Sequence, residues 1–180
     1  MSRLWSLYNT SLTKQPLLTK AITSLTGFTA GDILAQKYVE KGDEYDWRRT
    51  MRLASFGFLV HGTSGHYFYR HLDKVLPGTD KLTVLKKVGV DQVFWNPTFA
   101  FMFFGYNNLV EGKSLQQYKE KLKADFMTAY LGSWSVWGPA HFVNFTFVSP
   151  QQRLLYINCV QIGYNVFLSF LANRKNDGGD

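Results

Sequence analysis

Two aspartates, Asp32 and Asp91, stand inside stretches otherwise poor in charge, and amides recur beside them at helical intervals. Gln36 follows Asp32 by four residues and Thr29 precedes it by three, giving that stretch a polar seam. Asp91, Gln92 and Asn96 fall within one arc; Trp137, His141 and Asn144 share a face, as do Asn158, Gln161 and Asn165, all at spacings of three and four. Such groups have two uses. They can line a hydrated path for small polar solutes, with Asp32 and Asp91 biasing it toward cations. They can equally hydrogen-bond to one another and leave no lumen. In either case the stripes should turn toward protein, because an unsatisfied polar group against acyl chains costs on the order of several kcal/mol.

Catalytic patterns are missing. His61, His66 and His71 suggest a metal, yet residues five apart on a helix are turned by about 140 degrees, so the three cannot share a face. The sequence has no Gly-x-Ser-x-Gly elbow, no phosphate-cradling glycine loop and no His-Glu-x-x-His, and its acids lie mostly in connectors. The single cysteine, Cys159, excludes an internal disulfide and is expected to be an inert packing thiol. The expectation is a protein that is not an enzyme, with no cofactor and no metal.

The elements that must position the stripes are long apolar spans. Mean hydropathy is only −0.16, but charged residues make up 18%, below the roughly 25% of soluble domains, and they are bunched. From Phe126 to Asn173 the only charge is Arg153, in the turn Val148 to Arg153 that contains Pro150. A helical crossing needs roughly 20 mostly apolar residues. Candidate membrane helices are 17–39, 51–70, 88–110, 127–149 and 151–173. Residues 1–16 read as a basic, acid-free amphipathic arm with Leu4, Tyr8 and Leu12 four apart, and 112–125 as an interfacial helix. Residues 174–180 read as a frayed tail. Gly27 and Gly31 form a G-x-x-x-G that permits close backbone approach, and Ala54, Gly57, His61 and Gly65 mark a second close-packing face. Pro97 and Pro139 should kink their helices, and Thr79 or Asp80 could cap the helix after the Pro77-Gly78 turn.

The fold class is therefore all-α, an integral membrane bundle of four to five kinked helices with short interfacial ones. A net charge of +7 with Lys and Arg at span ends points to anionic lipid headgroups and away from nucleic acid. Arg48, Arg49, Arg52 and Arg153 are the candidate headgroup anchors. A homo-oligomer or a larger membrane complex is compatible with the aromatic surface.

These residues also carry a resemblance. Trp137-Gly138-Pro139, Asn144-Phe145, Pro150, Arg153, Tyr164-Asn165 and Leu168-Ser169 resemble the C-terminal signature of the Mpv/PMP family, small membrane proteins that include a 22-kDa peroxisomal protein and mitochondrial inner-membrane relatives. Gly31-Asp32 with Gln36, Asp46-Trp47 with Arg49-Thr50 and Arg52, Asp91-Gln92 with Pro97, and Glu111-Gly112 extend the likeness from Leu4 to about Ser169. Gly138, His141 and Tyr164 depart from the usual pattern. The resemblance implies an all-helical protein usually drawn with four spans, channel activity toward small solutes and a part in metabolite balance. It makes a small-solute channel of the mitochondrial inner membrane the first functional expectation, with the peroxisomal membrane as the alternative location. A non-catalytic structural or lipid-binding subunit of a larger mitochondrial complex is the alternative function.

Overall fold

A computed structural model describes residues 3–40 and 44–176, with side chains to residue 167. Of the tail, 177–180 lie outside the described residues. The described chain is helical without a strand. Helix α1 (Arg3–Lys14) leads through Gln15 into α2 (Pro16–Leu34), which starts on a proline whose missing N–H is no loss in a first turn. A π-helical segment, Ala35–Glu40, continues α2. Then α3 (Trp47–Phe56), a π segment Gly57–His61 and α4 (Gly62–Val75) follow without a break, as do α5 (Lys81–Val90), a π segment Asp91–Trp95 and α6 (Asn96–Val110). Helices α7 (Leu115–Phe147) and α8 (Arg153–Asn176) complete the order.

Local chemistry sets these boundaries. Asp46 caps α3 by accepting from the Arg49 N–H at 2.9 Å, and Asp80 caps α5 by accepting from Thr83 at 3.1 Å. Gly78 and Gly112, at φ of +105° and +66°, take the turns before α5 and α7. The π segment before Pro97 has a cause: a proline in an α-helix clashes with the carbonyl four residues back, and one inserted residue relieves it.

The expected interfacial helix 112–125 and span 127–149 are instead one helix. A reciprocal capping box starts α7, with Ser114 Oγ accepting from the Gln117 N–H at 3.2 Å and Gln117 Oε1 accepting from the Ser114 N–H at 2.8 Å. Nothing between Leu115 and Phe126 breaks it, and Tyr118 Oη donates to the Phe101 carbonyl at 3.2 Å, so its first turns pack on α6.

The chain divides into two compact units, residues 1–66 with 154–180 and residues 67–153. In the first, α2 is central. It packs on α1, on α3 and on the following π segment. An alanine Cβ at Gly57 would lie 2.7 Å from the Ser24 carbonyl oxygen, and one at Gly62 2.5 Å from the Ala21 Cα. On its other side Gly27 and Gly31 admit α8, where a Cβ would come within 2.7 Å of Asn158 and 2.8 Å of Asn165. In the second unit α5, α6 and the π segment 91–95 pack on α7, with Phe68 stacked on Trp95 at 4.2 Å and Phe101 on Phe126 at 4.7 Å.

Polar and charged side chains outnumber hydrophobic ones among the buried residues described, while Leu4, Trp47, Phe94, Leu109 and Phe147 are exposed. No helix among the described residues is long and apolar enough to cross a membrane. Helix α1 and helices α3 to α6 are short, at 10 to 15 residues, and along the longer α2, α7 and α8 amides, hydroxyls and charged residues dilute the apolar stretches.

Candidate functional site

Each unit holds a buried carboxylate at the head of a polar cluster. In the second unit it is Asp91, 1% exposed, the first residue of the π segment. Tyr69 Oη donates to its Oδ1 at 3.0 Å, Gln92 Nε2 donates to Oδ2 at 3.0 Å, and His141 Nε2 lies 3.2 Å from Oδ2. Asn96 Nδ2 passes the chain on, donating to Gln92 Oε1 at 3.1 Å and to Ser133 Oγ at 2.7 Å. Tyr130 Oη reaches the Gln92 carbonyl at 3.0 Å. Helices α4, α6 and α7 and the π segment thus meet through one carboxylate and two amides. The His141 ring is framed by Trp137, Phe145 and Tyr69 at centroid distances of 5.5, 5.6 and 5.9 Å. Asn144, one turn beyond His141, has no exposed surface, and neither its amide nitrogen nor its oxygen has a hydrogen-bond partner among the described residues.

A charged triad lies in the same unit. Lys87 Nζ donates to Asp73 Oδ1 at 2.9 Å and to the Gly78 carbonyl at 3.0 Å, and Arg153 Nη1 donates to the same Asp73 oxygen. The Arg153 guanidinium sits 5.1 Å from the centroid of Phe145. Arg153 is 2% exposed, which corrects its expected place among headgroup anchors: the Asp73 carboxylate, far earlier in the chain, holds it inside. Burial works to raise the Asp73 pKa, but the hydrogen bonds from Arg153 and Lys87 outweigh it and hold the carboxyl below its ordinary value.

In the first unit Asp32 is bound by Arg49 Nε at 2.7 Å, Gln36 Nε2 at 2.7 Å and Thr50 Oγ1 at 2.5 Å. Arg49 also reaches Glu40 at 2.7 Å. It is therefore a partner of the buried acid, where a headgroup anchor was expected, whereas Arg48 is exposed and Arg52 partly so. The sequence pairs Asp32 with Gln36 by spacing alone; Thr50 and Arg49 become visible only once α3 is folded against α2. Ser24, unremarkable in sequence, bridges His61 Nδ1 at 3.0 Å and Asn158 Nδ2 at 3.1 Å. Gln161 donates to Asn165 Oδ1 at 2.6 Å. Beside this cluster a groove of about 530 Å³ runs between α1, α2 and α8, lined by Tyr8, Ile22, Thr26 and Leu155 among others. Cys159 lines it and is exposed, where packing was expected.

The predicted residues thus divide between two centres. Asp91, Gln92, Asn96 and His141 come together, with Asn144 on the same helix as His141; Asp32 and Gln36 form one group, and Asn158, Gln161 and Asn165 lie along α8. Sequence reasoning misses Tyr69, Ser133, Asp73 and Lys87. Tyr69 ends an apolar span and Lys87 closes a basic connector, so each looks like a boundary residue.

Known proteins share this chain's pattern. The model of the Mpv17 / PMP22 family matches residues 108–169. PXMP2/4 family protein 4 of Dictyostelium discoideum is 38% identical over 90% of this chain and 89% of its own length. Mitochondrial inner membrane protein Mpv17 of Danio rerio is 31% identical over 97% of this chain and 99% of its own, and Peroxisomal membrane protein 2 of Bos taurus is 31% identical over 94% and 90%. No solved structure gives a significant match. With such identity along nearly its whole length, the chain belongs to the Mpv17/PMP22 family.

Proposed function

We propose that the protein is a small-solute channel of an organelle membrane, in the first place the mitochondrial inner membrane, and that the polar chain of residues 67–153 is its path in a closed state. One observation carries this reading: a carboxylate, an imidazole and two amides, those of Gln92 and Asn144, are withdrawn from solvent in one unit, and the Asn144 side chain makes no hydrogen bond among the described residues. Packing alone does not call for such groups, since a buried amide left unsatisfied costs about 1–3 kcal/mol. Water and polar solutes do. An isolated helix of this polarity would not enter hydrocarbon, but helices crossing as a set present their apolar sides to lipid and their stripes to one another. Asp32, with Arg49 at 2.7 Å, is neutralised and should bias the path little. Asp91 is the residue that sets preference for cations.

Pure protein reconstituted in a planar bilayer should pass current, and Asp91→Asn should lower its cation preference. A folded, electrically silent preparation overturns the proposal. The groove of about 530 Å³ beside α8 favours a second reading, a non-catalytic lipid-binding or structural subunit of a larger complex. A stable co-migrating complex on native gels, without conductance, would support it.

A further inference from the structure

We infer that the second unit holds a binding site for a small oxyanion, the chemistry of a phosphate or phosphomonoester, built from Lys87 and Arg153 beside Asp73. The grounds are charge and unused donors. Lys87 and Arg153 are each 2% exposed, and both spend a hydrogen bond on the same oxygen, Oδ1 of Asp73. Two buried cations therefore share one carboxylate, leaving an uncompensated positive charge where desolvation makes it expensive. Asp91, the buried carboxylate of the unit, is engaged with Tyr69, Gln92 and His141. Phe145 lies within 5.1 Å of the guanidinium and 6.0 Å of the ammonium, and an aromatic face offsets part of a cation's desolvation but carries no charge.

Donors are left over as well. Arg153 Nε is buried with no partner among the described residues. An ammonium has three protons, and Lys87 uses two, on Asp73 and on the Gly78 carbonyl. An ordered water could satisfy either atom, but not the charge. A tetrahedral oxyanion supplies both, and guanidinium with ammonium is the donor set that recognises one. The way in is on the Asp73 side, where the carboxylate is 21% exposed and the adjoining turn at Gly78 is open. Exposed Lys81 and Lys86 with nearby Lys74 add attraction for an anion. Asp73 is the competitor: it occupies the donors the ligand needs, so its removal should tighten binding.

This inference goes beyond the channel proposal, because binding is read without conductance. The full chain in detergent is melted, followed by tryptophan fluorescence, in inorganic phosphate against chloride at matched ionic strength. A parallel series compares phosphatidic acid with phosphatidylcholine in mixed micelles free of inorganic phosphate, which separates a free oxyanion from a lipid headgroup. The wild type should melt higher with one of the two phosphate probes, and Asp73→Asn should reach the same effect at about tenfold lower concentration. A wild type indifferent to both probes, or an Asp73→Asn response no tighter than wild type, overturns the site. Should Asp73→Asn fail to fold, Lys87→Gln decides: loss of the phosphate response supports the site and its retention overturns it.

Discussion

Asn144 and Asp73 act on the stability of this protein in opposite directions. Asn144 has no exposed surface and its side chain has no hydrogen bond among the described residues, so Asn144→Leu, which replaces an unsatisfied amide by an apolar group, should stabilise the protein by about 1–2 kcal/mol. Thermal melts in detergent measure this, and under the channel reading the same variant should conduct less. Equal or lower stability would mean that the amide has a partner in solution. Asp73 gives a pH prediction. Its folded pKa is held below the ordinary value by Arg153 and Lys87 against the effect of burial. A depressed carboxyl adds stability that is complete above the unfolded pKa of about 4 and is lost as pH falls through the lower folded value. The contribution of Asp73 to the melting temperature should therefore be constant between about pH 7 and 5 and fall away below about 4, with Asp73→Asn flattening that acid limb. At this scale the sequence is informative about type and silent about partner. Helical spacing predicts that Asp91, Gln92 and Asn96 share an arc, but His141 lies on a different helix. Arg153 is misplaced for the same reason, since a charge closing an apolar span looks like an anchor until Asp73 is brought beside it.

At the scale of helices the close crossings depend on glycine, and the π segments decide which glycines. Residues 57 and 62 would point apart by about 140 degrees on an α-helix. Here the Gly62 N–H bonds to the Gly57 carbonyl, the five-residue spacing of a π turn, and both glycines face α2. The face predicted from Ala54, Gly57, His61 and Gly65 assumes ordinary helical periodicity, which is why it omits Gly62. Nothing in composition marks an inserted residue, although Pro97 offers a clue for the segment before it. Gly62→Ala should destabilise by about 3 kcal/mol, the upper range for overpacking, because its Cβ would meet backbone 2.5 Å away and backbone cannot rotate aside. Gly132→Ala is the control. Nothing lies within 4 Å of that position in α7, so the change should be neutral or stabilise by up to about 1 kcal/mol through helix propensity. Equal melting temperatures for the two variants would show that the α2 crossing has room for a methyl group.

For the whole molecule the decisive feature is that buried polar side chains outnumber buried hydrophobic ones among the described residues. Soluble proteins withdraw large apolar side chains and leave charges in water; here Lys87, Arg153, Asp32 and Asp91 are buried while Phe147 is 78% exposed, Leu109 76% and Trp47 67%. Hydropathy along the chain cannot register this, because it scores every residue as though it faced the same solvent, and the buried stripes lower the average of helices whose outer sides are apolar. The all-helical fold is legible from spans and their charged ends; the division into two units is not, since it depends on which helices meet and not on any composition shift. If hydrocarbon covers the outer surface, the chain should remain with the membrane pellet after alkaline carbonate extraction and should aggregate when detergent is removed. Carbonate opens vesicles and strips proteins held by charge alone, so adhesion of a +7 chain to anionic lipid would be undone by it, while helices seated in the bilayer would stay. Release into the carbonate supernatant as a monodisperse species would remove the physical cause of the buried stripes, and the channel proposal with it.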